Sequence, residues 1–177
     1  TYGMMETLSH IAVREMTDPI SEFKCLPNIT VKIDKRNCLV INAPNLGIES
    51  LVTNDEVEVY NSTHFKLVGR IDHLINLNDF KIHPEQIERK LSQNLSLHFF
   101  IDKIVDPTLG EKLVLVIKDD PEIKIERLRE QIKSCDSLND YEIPKAVLCF
   151  KIFFQTYSGK IKRKETMTQR PNRILDL

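Results

Sequence analysis

Gly69-Arg70-Ile71-Asp72-His73-Leu74-Ile75, continued by Lys81-Ile82-His83-Pro84-Glu85-Gln86-Ile87-Glu88, is the stretch on which the reading of this chain turns. Before it the sequence has the pattern of short strands, and after it that of a mixed α/β unit, so Arg70–Asp72 marks a domain boundary. Within the stretch, Ile71, Leu74 and Ile75 lead to Asn78-Asp79, a dipeptide that tolerates the positive φ angles of a tight hairpin turn. Phe80-Lys81-Ile82 then returns and a helix begins. Pro84 suits its first position, and Glu85 and Glu88 complement the positive N-terminal end. The local reading is strand, turn, strand, helix, with a charged pivot at the base.

Working back from the pivot, Ile29-Thr30-Val31-Lys32-Ile33 alternates, residues 34–37 have turn chemistry, and Cys38-Leu39-Val40-Ile41 follows, which predicts a hairpin. Glu56-Val57-Glu58-Val59-Tyr60 alternates again, and Asn61-Ser62-Thr63 turns into Phe65-Lys66-Leu67-Val68. Working forward, Ile87, Leu91 and Leu95 mark one helix face. Residues 98–105 and 112–117 read as core strands joined by a turn over 106–111. Asp120 and Pro121 are placed to cap a second helix whose Ile125, Leu128 and Ile132 face inward. Ala146-Val147-Leu148-Cys149-Phe150 makes a third strand, and residues after Pro171 read as a tail. The fold class is therefore α+β, with domains at 1–70 and 71–170 and a tail at 171–177.

The chain has 177 residues, 41% hydrophobic and 29% charged, with a net charge of -1; this is ordinary globular usage. Nothing in it points to a nucleic-acid surface, and no apolar run is long enough for a membrane span. Cys25, Cys38, Cys135 and Cys149 lack C-x-x-C spacing, which argues against zinc and thioredoxin-like chemistry and for reduced, buried thiols in a cytoplasmic protein. Asn28-Ile29-Thr30, Asn61-Ser62-Thr63 and Asn94-Leu95-Ser96 match the glycosylation triplet, but with no secretory signal they read as coincidence.

Three motifs stand in order. Tyr2-Gly3-Met4-Met5-Glu6-Thr7 resembles Y-G-M-T-E-T. The pivot stretch resembles G-R-x-D-x-x-I followed by a turn and I-x-P-x-E-I-E. Thr156-Tyr157-Ser158-Gly159-Lys160-Ile161-Lys162-Arg163-Lys164 resembles T-x-S-G-K-I-x-R-K. Together they are similar to the adenylate-forming enzymes: acyl-CoA synthetases, peptide-synthetase adenylation domains and luciferases. The resemblance implies that residues 1–70 are the β-rich end, a small barrel, of a large N-terminal AMP-binding domain, and that residues 71–170 are a small lid. Opening inside a motif, without an initiator Met and without a Gly-rich phosphate loop, the chain is expected to be a C-terminal fragment whose N-terminal part supplies the rest of the site. By itself it should not be catalytically complete.

The resemblance also implies roles. Tyr2, Gly3, Met5, Asp55 and Arg70 would border ATP or AMP, with Asp55 of Thr53-Asn54-Asp55 accepting hydrogen bonds from the ribose hydroxyls. Glu6 would bind Mg²⁺, a hard cation suited to carboxylate oxygen. Asp72 would be the hinge, and Asn78 and Asp79 would border the path of coenzyme A. Lys160 would neutralise charge as a carboxylate meets the α-phosphate, whereas Lys162, Arg163 and Lys164 read as a solvated basic end. Departures are plain: Met5 replaces a threonine, Asn54 a glycine, and Asn78-Asp79 a glycine-containing turn. The Tyr2–Arg14 region, the compressed barrel and the short lid resemble the o-succinylbenzoate–CoA ligases of menaquinone biosynthesis, with His10 in the acyl pocket or, equally, packed beneath the barrel. The expected substrates are a carboxylic acid, ATP and coenzyme A. A different acyl- or aryl-CoA ligase, an adenylation domain and a non-catalytic remnant remain open.

Overall fold

The computed structural model describes residues 1–15, 22–77, 80–107 and 110–177. It consists of two compact units, Thr1–Leu74 and Ile75–Leu177. No described helix is long and apolar enough to cross a membrane.

The first unit holds β1 (Tyr2–Gly3), β2 (His10–Val13), β3 (Phe23–Cys25), β4 (Thr30–Ile33), β5 (Cys38–Ala43), β6 (Ile48–Asn61) and β7 (His64–Arg70). They form one antiparallel sheet in the order β1-β2-β3-β7-β6-β5-β4. The residues expected to form a small barrel make, among the described residues, a sheet whose end strands are β1 and β4. It curls enough for the Val31 N–H to reach the Ser62 carbonyl at 2.8 Å. Ile11, Leu39, Ile41, Val57 and Phe65 fill its concave core. Turn chemistry is where the sequence put it: Asn37 takes φ 61° at the β4–β5 turn, a conformation asparagine tolerates.

The second unit opens with a hairpin of β8 (Ile75–Leu77) and β9 (Phe80–Ile82); Asn78 and Asp79 lie outside the described residues. Helix α1 (Pro84–Leu91) follows, with Pro84 first as expected. Leu95 is buried beyond the helix end rather than on it. Next come β10 (Phe99–Asp106), β11 (Gly110–Lys118), α2 (Ile125–Lys133), β12 (Ala146–Phe150), α3 (Arg163–Met167) and β13 (Arg173–Asp176). The sheet runs β10-β11-β12-β13, with β11 and β12 parallel. That parallel pair requires a crossover, and α2 lies within it.

Both faces of this sheet are covered, which explains the unbroken apolar run in β11. Leu113, Leu115 and Ile117 face α1 and α2 through Ile87, Leu91, Leu128 and Ile132. Val114 and Val116 face the opposite cluster of Phe100, Leu148 and Phe150, against which Phe153, Ile161 and Met167 pack. The segment carrying Lys160 therefore caps the second face.

Two sequence readings are corrected. Asp120 and Pro121 do not cap α2, which starts at Ile125 after Lys124. Instead Asp120 Oδ1 accepts the Glu122 N–H at 2.9 Å and its carbonyl accepts the Ile123 N–H at 3.1 Å, a turn in which Pro121 takes the position its fixed φ favours. Residues 171–177 are not a tail, because β13 pairs with β12 from Cys149↔Arg173 to Ala146↔Asp176. Leu175 packs against the core, and Arg173 donates to Asp119 Oδ1 at 2.8 Å. A four-residue edge strand with one inward apolar side chain is too short for alternation to register.

Candidate active site: a buried aspartate and an exposed lysine

Tyr2 stands within an aromatic group, its ring centroid 5.7 Å from that of Phe23 and 5.3 Å from that of Phe65. Its hydroxyl, the polar end of an otherwise apolar side chain, donates to Asp55 Oδ2 at 2.5 Å. Asp55 is not on a turn. It lies within β6, 7% exposed, opposite Arg70 in the strand register. Arg70 Nη1 is 3.4 Å from Asp55 Oδ1, and Arg70 Nη2 donates to Asp72 Oδ2 at 2.7 Å. Four residues named from two motifs and one short tripeptide thus meet in one line.

Burial, and then the neighbouring Asp55 carboxylate, push the Tyr2 phenol far above its ordinary value, so it stays a neutral donor. The hydrogen bond from Arg70 holds the Asp72 carboxyl below the usual carboxylate range. The line extends further than the sequence suggested. Asn54 Nδ2 donates to Asp72 Oδ1 at 3.2 Å, and Asn54 Oδ1 accepts from Arg36 Nη1 at 3.1 Å. Arg36 also bonds the Thr53 carbonyl at 3.1 Å and Asp34 Oδ2 at 2.8 Å. The asparagine that departs from the family pattern therefore links the β4–β5 turn to Asp72, and Arg36 was missed because nothing local marks it.

Gly3 is fixed by space. A Cβ there would meet the Ser9 carbonyl oxygen at 2.6 Å, so β1 can approach β2 only as glycine. Thr7 is fully buried and accepts the Met4 N–H at 3.0 Å. Met5 and Glu6, in the 3-10 turn between β1 and β2, are exposed, as is His10; none of the three joins the Asp55 line. Among the described residues no group of three or more His, Cys, Asp or Glu could hold a metal. Glu6 thus fits Mg²⁺ only as one carboxylate beside phosphate and water oxygens, the usual way this ion is held. Arg14 lies over the Phe23 ring at 4.9 Å.

In the second unit Lys160 ends a tight hairpin. Thr156 N–H donates to the Lys160 carbonyl at 2.8 Å and Gly159 N–H to the Thr156 carbonyl at 2.9 Å. Thr156 Oγ1 accepts the Lys160 N–H at 3.1 Å. Gly159 takes φ +82° in open space, a backbone conformation that favours glycine. The Lys160 side chain is exposed.

Arg163 overturns the reading of a solvated basic end. It is ion-paired with Glu88 at 2.8 Å and its side chain is 17% exposed. Burial pushes the Glu88 carboxyl up, and Arg163 opposes that shift. The four cysteines are buried and free, as expected.

No protein-family model matches the chain. Over 126 residues it is 29% identical to the mitochondrial acyl-coenzyme A synthetase ACSM5 of Rattus norvegicus, a match covering 67% of this chain and 22% of the relative. It is also similar to malpinin synthetase of Mortierella alpina, 26% identical over 63% of this chain and 2% of that protein. Among solved structures, the o-succinylbenzoate CoA synthetase of Bacillus subtilis with its acyl-adenylate aligns with a TM-score of 0.77 at 19% identity, covering 97% of this chain and 41% of that one. The anthranilate CoA ligase AuaEII aligns at 0.73 and 16%, covering 94% and 38%. The chain spans about a fifth of the length of the curated acyl-coenzyme A synthetases it matches. Its fold is that of the C-terminal part of these adenylate-forming enzymes, and its sequence is similar to that of acyl-coenzyme A synthetases.

Proposed function

We propose that this chain is the C-terminal part of an ATP-dependent acid–CoA ligase, and that the acid is o-succinylbenzoate. Such an enzyme first joins the carboxylate to the α-phosphate, releasing pyrophosphate, and then passes the acyl group to the coenzyme A thiol, releasing AMP. The observation that carries the reading is the buried Asp55 carboxylate held between Tyr2 and Arg70. A carboxylate fixed by two donors on a strand, with lone pairs to spare, is suited to accept the two ribose hydroxyls of AMP.

The remaining roles follow from chemistry. Arg70, half-exposed, offers guanidinium donors to the nucleotide. The Lys160 ammonium would neutralise the two anions as they approach, the largest single contribution such a site makes. Glu6 would share Mg²⁺ with the phosphates. Asp72, held by Arg70 and Asn54 at the end of the first unit, would be the pivot between half-reactions. His10 would donate to the second carboxylate of the acid, and Asn78 and Asp79 would border the pantetheine arm. The first unit, Thr1–Leu74, would close the AMP-binding domain, and the second, Ile75–Leu177, would form the lid.

The test is acid-dependent ATP–pyrophosphate exchange by the full-length enzyme, followed by coenzyme A-dependent release of AMP. Exchange with o-succinylbenzoate above other aryl and acyl acids, and thioester on adding coenzyme A, are expected. Exchange favouring another acid overturns the substrate. Exchange without thioester makes the protein an adenylation domain, and no exchange with any acid makes it a non-catalytic remnant.

A further inference from the structure

Arg163 is the first residue of α3, three positions beyond Lys160, and it touches two other elements at once. Nη2 donates to Glu88 Oε2 of α1 at 2.8 Å, Nη1 lies 3.4 Å from the Ile101 carbonyl of β10, and the guanidinium stands 5.6 Å from the Phe100 ring centroid. Glu85 Oε1 is a further 3.9 Å neighbour of Nη2. Glu88 uses its other oxygen, Oε1, to accept the Ile101 N–H at 2.8 Å. One carboxylate therefore joins α1, β10 and the start of α3.

The hairpin bearing Lys160 is tied to the same place. Thr166 of α3, fully buried, accepts the Phe154 N–H on Oγ1 at 3.1 Å, and Lys162 N–H donates to the Phe154 carbonyl at 2.8 Å. Phe153 and Ile161 pack on the apolar cluster beneath. Both arms of the hairpin thus stand on a base held by Arg163 and Thr166, with residues 156–160 exposed beyond it.

A mostly buried ion pair is a poor way to gain stability, because removing two charges from water costs about as much as their attraction returns, and apolar side chains of similar volume often serve as well. Its contribution is geometric: a bidentate-capable guanidinium locked between a carboxylate, a carbonyl and a ring has one orientation. Lysine, with a flexible stem, depends on its backbone for aim.

We propose that Glu88 and Arg163 are positioning residues that aim Lys160, an inference that rests on Lys160 being the charge-neutralising group of adenylation. Neither touches substrate. The pair fixes the base of the hairpin, so that the ammonium meets the reacting oxygens with little reorganisation.

The test uses the full-length enzyme and the acid that supports its exchange reaction. Arg163→Met keeps the stem volume and removes the fork. It is expected to lower kcat for exchange about 10- to 100-fold, the scale of a misplacement near 1 Å, with KM for ATP and acid within about twofold. Thioester formation from supplied acyl-adenylate should stay near the parental rate. Arg163→Lys should restore part of the loss, and Glu88→Gln combined with Arg163→Met should cost scarcely more than the latter alone, as expected for residues acting as one unit. Arg163→Lys, which keeps the charge, carries the same split of kcat from KM if the Met variant does not fold. Parental exchange in Arg163→Met, or equal loss in both half-reactions alongside a lower melting temperature, would overturn the positioning role. Lys160→Ala is run in parallel: parental exchange there defeats the lysine assignment itself, whereas an inactive Lys160→Ala beside a parental Arg163→Met defeats only the positioning.

Discussion

Tyr2→Phe probes the polar centre of the first unit with one atom. The ring stays among Phe23 and Phe65, so packing is kept and only the O–H is removed. That O–H donates to Asp55 Oδ2 at 2.5 Å in a position 7% exposed. Without it Asp55 keeps Arg70 at 3.4 Å, a longer contact to its other oxygen. A hydrogen bond to a charged group contributes about 1.5–3 kcal/mol, and leaving a buried acceptor short of a partner pushes the cost to the upper part of that range. We expect a loss of about 2.5 kcal/mol at pH 7, read from hydrogen exchange of β6 and β7 amides, which reports the unit in which the change lies. The pH dependence supplies a second reading. Burial raises the folded phenol above its unfolded value, which is about 10. The stability it provides is therefore complete below about pH 10 and is lost as pH rises from there toward the folded value. The gap between parent and Tyr2→Phe should be constant from pH 6 to 9 and narrow above about pH 10. No loss at pH 7, or a gap that persists unchanged to high pH, would refute the assignment of Tyr2 as the donor that holds Asp55.

Asp72→Asn tests the other end of the line. The Arg70 hydrogen bond lowers the Asp72 carboxyl, so its contribution is present above the unfolded value and lost as pH falls through the folded one. The side chain is 40% exposed, so the effect is under about 1 kcal/mol; urea midpoints should differ at pH 7 and converge as pH falls below the ordinary carboxylate range. Gly3→Ala places a Cβ 2.6 Å from the Ser9 carbonyl oxygen and should cost about 1–3 kcal/mol through displacement of β1, seen as faster exchange of β2 amides. Leu175→Ala removes the inward apolar side chain of β13; a loss of about 1–2 kcal/mol in the second unit is expected for a half-buried leucine, and no loss in urea unfolding would return residues 171–177 to the status of a tail.

The elements the sequence disclosed are those whose signal is local. Alternation over Thr30–Ile33, the turn at Asn37 and Pro84 at the head of α1 each follow from a few adjacent residues, and each is present in the fold. The readings that needed correction depend on distant partners. Pro121 satisfies the rules for a helix start and for a turn equally well, and the choice is made by where Ile125, Leu128 and Ile132 must lie to cover β11. Arg173-Ile174-Leu175-Asp176 becomes a strand because β12 offers a free edge, and an edge is a property of the sheet, not of the tetrapeptide.

The candidate site divides in the same way, and the division separates two kinds of residue. Tyr2, Asp55, Arg70 and Lys160 were named by resemblance, because each stands in a short run of adjacent residues that matches a motif. Arg36, Asn54 and Arg163 take their roles from geometry within this chain. Asn54 read only as a lost glycine until its amide was found between Arg36 and Asp72. Arg163 sits in a basic run of Lys162-Arg163-Lys164, where composition favours a solvated end; its partner Glu88 is 75 residues away. What singles Arg163 out is its position as the first residue of α3, packed over the cluster that includes Phe100 and Phe153, where Lys162 and Lys164 turn outward. A charge drawn inward from such a run, and matched by a carboxylate that also holds a strand N–H, costs desolvation that solubility alone would not require. That cost is the physical reason to assign the pair a task in the placement of Lys160 rather than in the stability of the sheet beneath it.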